Sequence, residues 1–217
     1  MDPARIAELL APFLREKSLS AHQLHQVSAY LDRLLRWNAR MNLTSVRDPD
    51  QIITRHFGES FFAAAQVLGL EDPAGKSAID IGSGAGFPGL PIKIFAPSLH
   101  MRLIEAQHRK GIFLREVIRD LKLQDCEVVA QRAEVLAQVE PGSADIVTLR
   151  AVEHFSEVLP TAAQLTPNKG RVGLLVGREQ AHTAATTLPN FEWQPEIQVP
   201  LSVSRIILIG RHRESTQ

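Results

Sequence analysis

Apolar residues in the first 70 positions recur at helical spacing. Ile6, Leu9, Leu10, Phe13 and Leu14 fall on one face of a helix expected over residues 3 to 17. A second helix is expected from Ser20, where Ser20 and Gln23 have the spacing of a capping box and Leu24, Val27, Leu31, Leu34 and Leu35 form the buried stripe. It ends between Trp37 and Met41. A polar link then reaches Asp48, which can cap, and Pro49, which can open a third helix running through Ile52, Ile53, His56, Phe57 and Phe61 to about Leu68.

Beyond residue 76 the period changes from helical to alternating strand and helix. Strands are expected near 78–81, 100–105, 126–131, 144–149, 171–176, 192–200 and 203–210, with helices at 89–96, 109–121, 154–164 and 178–187 and a short turn at 133–137. Such alternation implies a mostly parallel, seven-stranded sheet with helices on both faces, and the last two strands suggest a hairpin at one edge. Residues 1–72 then form a helical segment packed on the core, 73–211 the α/β domain, and 212–217 a tail. In such sheets a ligand sits at the carboxyl ends of the strands.

The glycines fall at that end of the first strand. Asp80-Ile81-Gly82-Ser83-Gly84-Ala85-Gly86-Phe87 reads as a strand entering a turn in which Gly82, Gly84 and Gly86 can take positive φ and leave backbone open to a ligand. The spacing is neither the G-x-G-x-x-G of a dinucleotide site nor a Walker loop, since no Gly-Lys-Ser/Thr follows. An acidic Asp80 would repel a pyrophosphate and attract an ammonium group. D-x-G-x-G-x-G resembles the pattern of class I S-adenosylmethionine-dependent methyltransferases, in which the glycine turn cradles the methionine half of the cofactor. A second element agrees: Glu105 ends the next expected strand, nineteen residues past Gly86, where an acid bonds ribose hydroxyls.

Composition narrows the partners. Twenty-four basic and 24 acidic side chains cancel, so a nucleic-acid partner requires a local patch. Arg33, Arg36, Arg40, Arg47 and Arg55 against Asp48 and Asp50 provide one, and Arg109, Lys110, Arg115, Arg119 and Lys122 a second, although arginines at helical spacing also suit a plain solvated face. A third run holds Arg205, Arg211 and Arg213. The single Cys126 excludes an intrachain disulfide and a cysteine-rich metal site, and no metal is expected. Without a long apolar run at the amino terminus, a cytoplasmic protein free of the membrane is the simplest reading, and a monomer is expected.

Other strand ends face the same crevice. Glu134, just past the third strand, could border an adenine or simply begin a helix. Arg150 ends the fourth, where methyl acceptors are held; an arginine cannot abstract a proton but can bind phosphate or carboxylate. There is no Asn/Asp-Pro-Pro-Tyr turn for exocyclic amines, and Cys126 opens the third strand away from the crevice, so pyrimidine C5 chemistry through a cysteine is not supported. An acceptor with a free lone pair remains, such as guanine N7, for which positioning is most of the catalysis.

Over residues from about 30 to 210 the chain resembles the bacterial 16S rRNA guanine-N7 methyltransferase family RsmG, also called GidB. The resemblance rests on Trp37-Asn38, the Asn42-Leu43-Thr44-Ser45-Val46-Arg47-Asp48 run, Arg55-His56, the Asp80 to Pro91 turn, Arg132-Ala133-Glu134 and Arg150-Ala151. It implies methylation of one guanosine in the 530 loop of 16S rRNA, on the small ribosomal subunit or its RNA. It also implies that Gly82, Phe87, Ala133, Glu134 and Arg150 line the S-adenosylmethionine site. Two positions depart: Val176-Gly177 where a lysine often precedes glycine, and Phe57-Gly58-Glu59-Ser60 in place of a leucine-rich Asp-Ser pattern. The expected substrate set is Arg47, Arg55 and Arg150 on phosphate or the guanine edge, with Asn42 orienting the base, and direct in-line transfer without a general base. The rivals are a small-molecule methyltransferase with a carboxylate on Arg150, and a binder that does not turn over.

Overall fold

The computed structural model describes residues 1–15, 17–152 and 154–213. Helix α1 (Pro3–Leu14) stops short of the expected end because Arg15 turns to φ 54°; Glu16 lies outside the described residues. Helix α2 (Ala21–Asn38) opens on the expected capping box: Ser20 Oγ accepts the Gln23 N–H at 3.2 Å, and Gln23 Oε1 accepts the Ser20 N–H at 2.8 Å. Asp48 caps α3 (Pro49–Ile52), its Oδ1 accepting the Gln51 N–H at 2.9 Å.

The third helix is not uniform. Between α3 and α4 (Glu59–Leu68) the chain makes a π-helical segment, Ile53–Gly58. A π turn adds a residue per turn and shifts the side chains that follow onto a new face, which is why such bulges gather at functional sites. At Gly58 a Cβ would stand 2.5 Å from the Phe13 ring of α1, so the close approach of the two helices requires glycine there.

The sheet follows the expected alternation. Strands β1 (Ser77–Ile81), β2 (His100–Ile104), β3 (Cys126–Val129), β4 (Ile146–Arg150) and β5 (Arg171–Gly177) are parallel, in spatial order 3-2-1-4-5. The remaining strands are β6 (Phe191–Trp193), β7 (Ile197–Gln198) and β8 (Arg205–His212). β8 adds antiparallel to β5, and β6 and β7 pair with its outer edge. The strand expected over 192–200 is thus broken in two at Gln194-Pro195-Glu196, because proline cannot donate to a ladder. Strand order reverses between β1 and β4, which makes a topological switch point at their carboxyl ends. β8 takes in His212, Arg213 follows with its N–H donating to the Asn190 carbonyl at 2.9 Å, and 214–217 lie outside the described residues.

Helices cover both faces. One face carries α5 (Gly89–Phe95), α6 (His108–Asp120) and the amino-terminal helices, around Tyr30, Phe57, Phe61, Ile92 and Phe113. The other carries α7 (Ala133–Val139), α8 (Phe155–Leu165) and α9 (Glu179–Thr187), around Leu136, Leu159 and Ala184. Residues 133–137, expected as a turn, are two turns of helix: Leu136 and Ala137 find apolar partners on the sheet that local sequence does not announce. Among the described residues no helix is long and apolar enough to cross a membrane.

Candidate active site

The glycine turn is fixed from below and open above. Asp80 is fully buried; its Oδ1 accepts the Thr148 hydroxyl at 2.8 Å and its Oδ2 the Gly89 N–H at 3.2 Å. Ser83 Oγ donates to the Asp80 carbonyl at 2.9 Å. Burial, against these hydrogen bonds, pushes the Asp80 carboxyl up to about 6. Asp80 therefore ties β1, β4 and the start of α5 together and does not face the crevice. Gly86, at φ 89°, turns toward Tyr30 of α2 and also lies behind the turn. Gly82 (φ 64°) and Gly84 (φ 56°) face outward, where an added Cβ would meet Val152 at 3.1 Å and only the Gly82 carbonyl at 3.7 Å respectively.

The amino-terminal helices grip this turn. The Tyr30 hydroxyl donates to the Ala85 carbonyl, and its ring stacks on Phe87 with centroids 5.3 Å apart. Phe57 meets both rings edge-on at 5.0 Å. Tyr30 falls within the expected second helix but is not among the residues of its expected apolar stripe; its partner is 55 residues away, and no local signal marks it.

Over β1, β2 and β3 the crevice is a cleft of about 410 Å³ lined by Gly82, Glu105, Ala133, Glu134, Val152 and Glu157. Glu105 Oε2 accepts the Gly84 N–H at 2.9 Å and Oε1 the Gln107 N–H at 2.7 Å. A carboxylate accepts about four hydrogen bonds, so Glu105 keeps capacity for a ligand hydroxyl. Bare backbone at Gly82 and Gly84, a carboxylate with spare acceptors and a small Ala133 at the start of α7 could hold S-adenosylmethionine: the glycines would take the methionine half, Glu105 the ribose, and Ala133 and Glu134 would stand beside the base.

Over β1, β4, β5 and β8 the crevice continues as a second cleft of about 450 Å³. Its lining includes Thr44, Arg55, His56, Phe87, Lys110, Arg150 and Arg205, and among the described residues no carboxylate. Arg150 is nearly enclosed, with 11% of its side chain exposed. Its Nη2 donates to the Arg55 carbonyl at 2.7 Å, to His56 Nδ1 at 3.1 Å and to Glu59 Oε2 at 3.1 Å. The other oxygen of Glu59 meets Arg205 Nη2 at 2.9 Å. Burial raises the Glu59 carboxyl while the arginines oppose it, and Arg150 is lowered by its own burial and raised again by Glu59. One buried carboxylate thus orders two arginines from separate strand ends.

His56 completes this floor. Arg150 donates to its Nδ1, which assigns the proton to Nε2, 2.7 Å from the Thr44 hydroxyl. Burial, reinforced by Arg150 and Arg55, lowers it to about 3, so the imidazole is neutral. It is a structural bridge, donating to Thr44 and accepting from Arg150. Asn38 shapes the loop above: its Oδ1 accepts the N–H groups of Leu43 and Thr44 at 2.9 and 3.0 Å. Asn42 and Arg47 bond each other at 3.2 Å on the exposed rim, outside the cleft lining.

The structure therefore brings together Gly82, Gly84, Phe87, Glu105, Ala133, Glu134, Arg55 and Arg150. It sets Asp80 and Gly86 behind the turn, and Asn42 and Arg47 on the rim. Glu59, Thr148, Arg205 and Lys110 escaped the sequence reading as site members. Glu59 had a signal: a lone acid in the apolar run Phe57 to Phe62 must find a cation when buried. Cys126 opens β3 as expected and is partly buried; its thiol is pushed up by burial to about 12, and it lines neither cleft. A larger cavity of about 790 Å³ between Asp145, Lys169 and Arg213 lies at the opposite ends of the strands. Among the described residues no cluster of three or more potential ligands could hold a metal ion.

The sheet order, the switch-point crevice and the Gly82–Glu105 pair define a class I S-adenosylmethionine-dependent methyltransferase. Solved structures share this fold. The chain superimposes on MtNAS, crystallised with MTA and tNA, over 99% of its length and 90% of that chain, with TM-score 0.63 at 13% identity. The family model described as rRNA small subunit methyltransferase G, GidB, matches residues 23–204, and the chain belongs to that family. It is 40% identical to ribosomal RNA small subunit methyltransferase G of Chloroflexus aggregans over 74% of this chain and 67% of that one. To the protein of the same name in Stenotrophomonas maltophilia it is 34% identical over 93% and 90%.

Proposed function

We propose that this enzyme methylates N7 of one guanosine in the 530 loop of 16S rRNA. The observation that carries the reading is the character of the second cleft: among the described residues four cations and no lining carboxylate, and a histidine held neutral and bonded through both ring nitrogens. Such a site attracts a polyanion and offers no free base. Guanine N7 has a lone pair and no proton, so it needs none.

S-adenosylmethionine supplies an electrophilic methyl group when bound. The chain's own residues hold the acceptor, orient it and keep water out. Arg55, Arg205 and Lys110 present charge for phosphate or guanine O6, and Arg150 is braced by Glu59 at the cleft wall. Asn42 and Arg47 on the rim meet the strand as it enters. Holding N7 against the methyl carbon in one geometry supplies most of the rate. The small-molecule reading has less support, because Arg150, its proposed carboxylate ligand, is already engaged with Glu59 and two peptide carbonyls. On the favoured reading the enzyme works as a cytoplasmic monomer.

The test is incubation of the purified chain with labelled S-adenosylmethionine and unmodified small ribosomal subunits, followed by mapping. Label at a guanine N7 in the 530 loop is expected. Intact cofactor binding with no label on RNA would reject the reading.

A further inference from the structure

A groove of about 630 Å³ lies outside the crevice, between the carboxyl-terminal turns of α2 and the first turns of α6. Arg33, Arg36, Trp37, Arg40, Met41, Arg109 and Ile112 line it. Its arginines are of two kinds. Arg33 is neutralised by Glu116 at 3.2 Å and by Asp120. Arg36, Arg40 and Arg109 are exposed, and among the described residues none has an acidic group within 4.0 Å. Between them sit half-buried Trp37, Met41 and Ile112. The Trp37 ring is fixed rather than loose: its Nε1 donates to Glu116 at 3.0 Å, and Phe113 meets it edge-on at 5.6 Å.

The groove joins the crevice along two pieces of chain. Arg109 lines the groove and Lys110, the next residue, lines both clefts. Met41 lines the groove and Leu43, two residues on, lines the acceptor cleft. Two residues span at most about 7 Å of extended chain. The two pockets are therefore neighbours along the same stretches of chain.

Three unpaired arginines around a fixed aromatic ring are the parts of a single-strand nucleotide site: phosphates on the cations, a base on the ring. We propose that this groove holds an RNA nucleotide flanking the methylated guanosine, with Arg36, Arg40 and Arg109 on its phosphates and its base packed against Trp37 and Met41. This rests on the reading of the enzyme as an RNA methyltransferase and adds a second contact that fixes which base enters the cleft. Trp37 and Arg40 then select by stacking and charge, while the chemistry stays at the glycine turn.

The experiment compares the full chain with Arg36→Ala/Arg40→Ala/Arg109→Ala and with the same three positions changed to lysine. Substrates are unmodified small subunits and the same RNA stripped of protein, with labelled S-adenosylmethionine. The alanine variant is expected to raise KM for RNA about tenfold or more and lower the salt slope of binding by about two. Its kcat and cofactor affinity stay within about twofold, and the lysine variant recovers most of the lost affinity because phosphate contacts tolerate any cation. Thermal melting is expected to match wild type, as all three side chains are exposed. If wild type transfers label and the alanine variant keeps its KM and salt slope, the groove proposal is overturned while the RNA reading stands. If both substrates are methylated but only the assembled subunit binds more weakly, the groove touches ribosomal protein and the proposal is likewise overturned. If wild type binds cofactor and labels no RNA, the RNA reading fails first and the groove proposal with it.

Discussion

The two halves of one crevice carry opposite charge. Over β1 to β3 the lining holds Glu105, Glu134 and Glu157 against Lys110 and Arg132. Over β4, β5 and β8 it holds Arg55, Lys110, Arg150 and Arg205 and, among the described residues, no acid. Gly82 belongs to both, so the glycine turn is the seam. The contrast suits a reaction between a cationic sulfonium donor and an anionic polymer: each side attracts its own partner and repels the other's. Specificity here comes from position along a shared sheet edge: Glu105, Arg132 and Arg150 follow or end β2, β3 and β4, Arg205 opens β8, and Arg55, Lys110 and Glu157 come in from the flanking helical segments.

The strongest way to break the contrast is at Arg150. Arg150→Ala is expected to lower kcat/KM for RNA by about 100-fold or more while cofactor affinity changes less than about threefold, since the lost charge and the lost brace lie on the acceptor side. It also leaves Glu59 with Arg205 alone, and removing one partner of a buried pair costs about 3–5 kcal/mol. Melting is therefore measured with kinetics, and Arg55→Ala, whose side chain is exposed, serves as a milder variant. A parallel loss of cofactor affinity would contradict the division.

The complementary change is Glu105→Ala. It removes the acceptor for the Gly84 and Gln107 N–H groups and, on this account, for the ribose. KM for S-adenosylmethionine is expected to rise by about 10- to 100-fold, equivalent to about 1.4–2.7 kcal/mol. KM for RNA should stay within about twofold. Isothermal titration and initial rates separate the two effects.

Smaller, and confined to stability, is the pH response of Asp80, beneath the glycine turn, and of the half-buried His56 in the floor of the acceptor cleft. Asp80 titrates at about 6 against an ordinary 3.8, so the folded state binds its proton more tightly than the unfolded chain. Its contribution is present below 3.8 and is lost as pH rises toward about 6. That amounts to about 3 kcal/mol as an order of magnitude. His56, lowered to about 3, has the opposite sign: its contribution is present above 6.5 and is lost as pH falls toward 3. Denaturant unfolding of Asp80→Asn is expected to show no fall with rising pH from this group. His56→Gln is expected to resist acid better relative to its own stability at neutral pH. The reverse pattern would contradict the assignments of burial.

Local chemistry made some of this legible in the sequence and long-range pairing hid the rest. The caps at Ser20 and Asp48, the positive-φ glycines of the turn and the place of Glu105 just past β2 depend on residues within a few positions of one another, or on one known spacing, and these local features form as expected. The π-helical segment did not, because the strain it accepts is offset by contacts with α1 and β4 that lie far off in the chain. Arg150 was visible as a cation at a strand end, but its buried partner Glu59 is 91 residues away. Asp80 was legible as part of a motif and was given a ligand-facing task; its actual direction follows from Thr148, a residue with no distinguishing context. α7 was missed because its stability is tertiary.

The most direct test of the divided crevice is one kinetic measurement: KM for S-adenosylmethionine and KM for unmodified small subunits, each taken between about 50 and 200 mM salt. The account predicts that KM for RNA rises about tenfold or more over that range while KM for the cofactor moves less than about twofold. If the two rise together, or neither moves, the halves do not divide donor from polyanionic acceptor and the account is wrong.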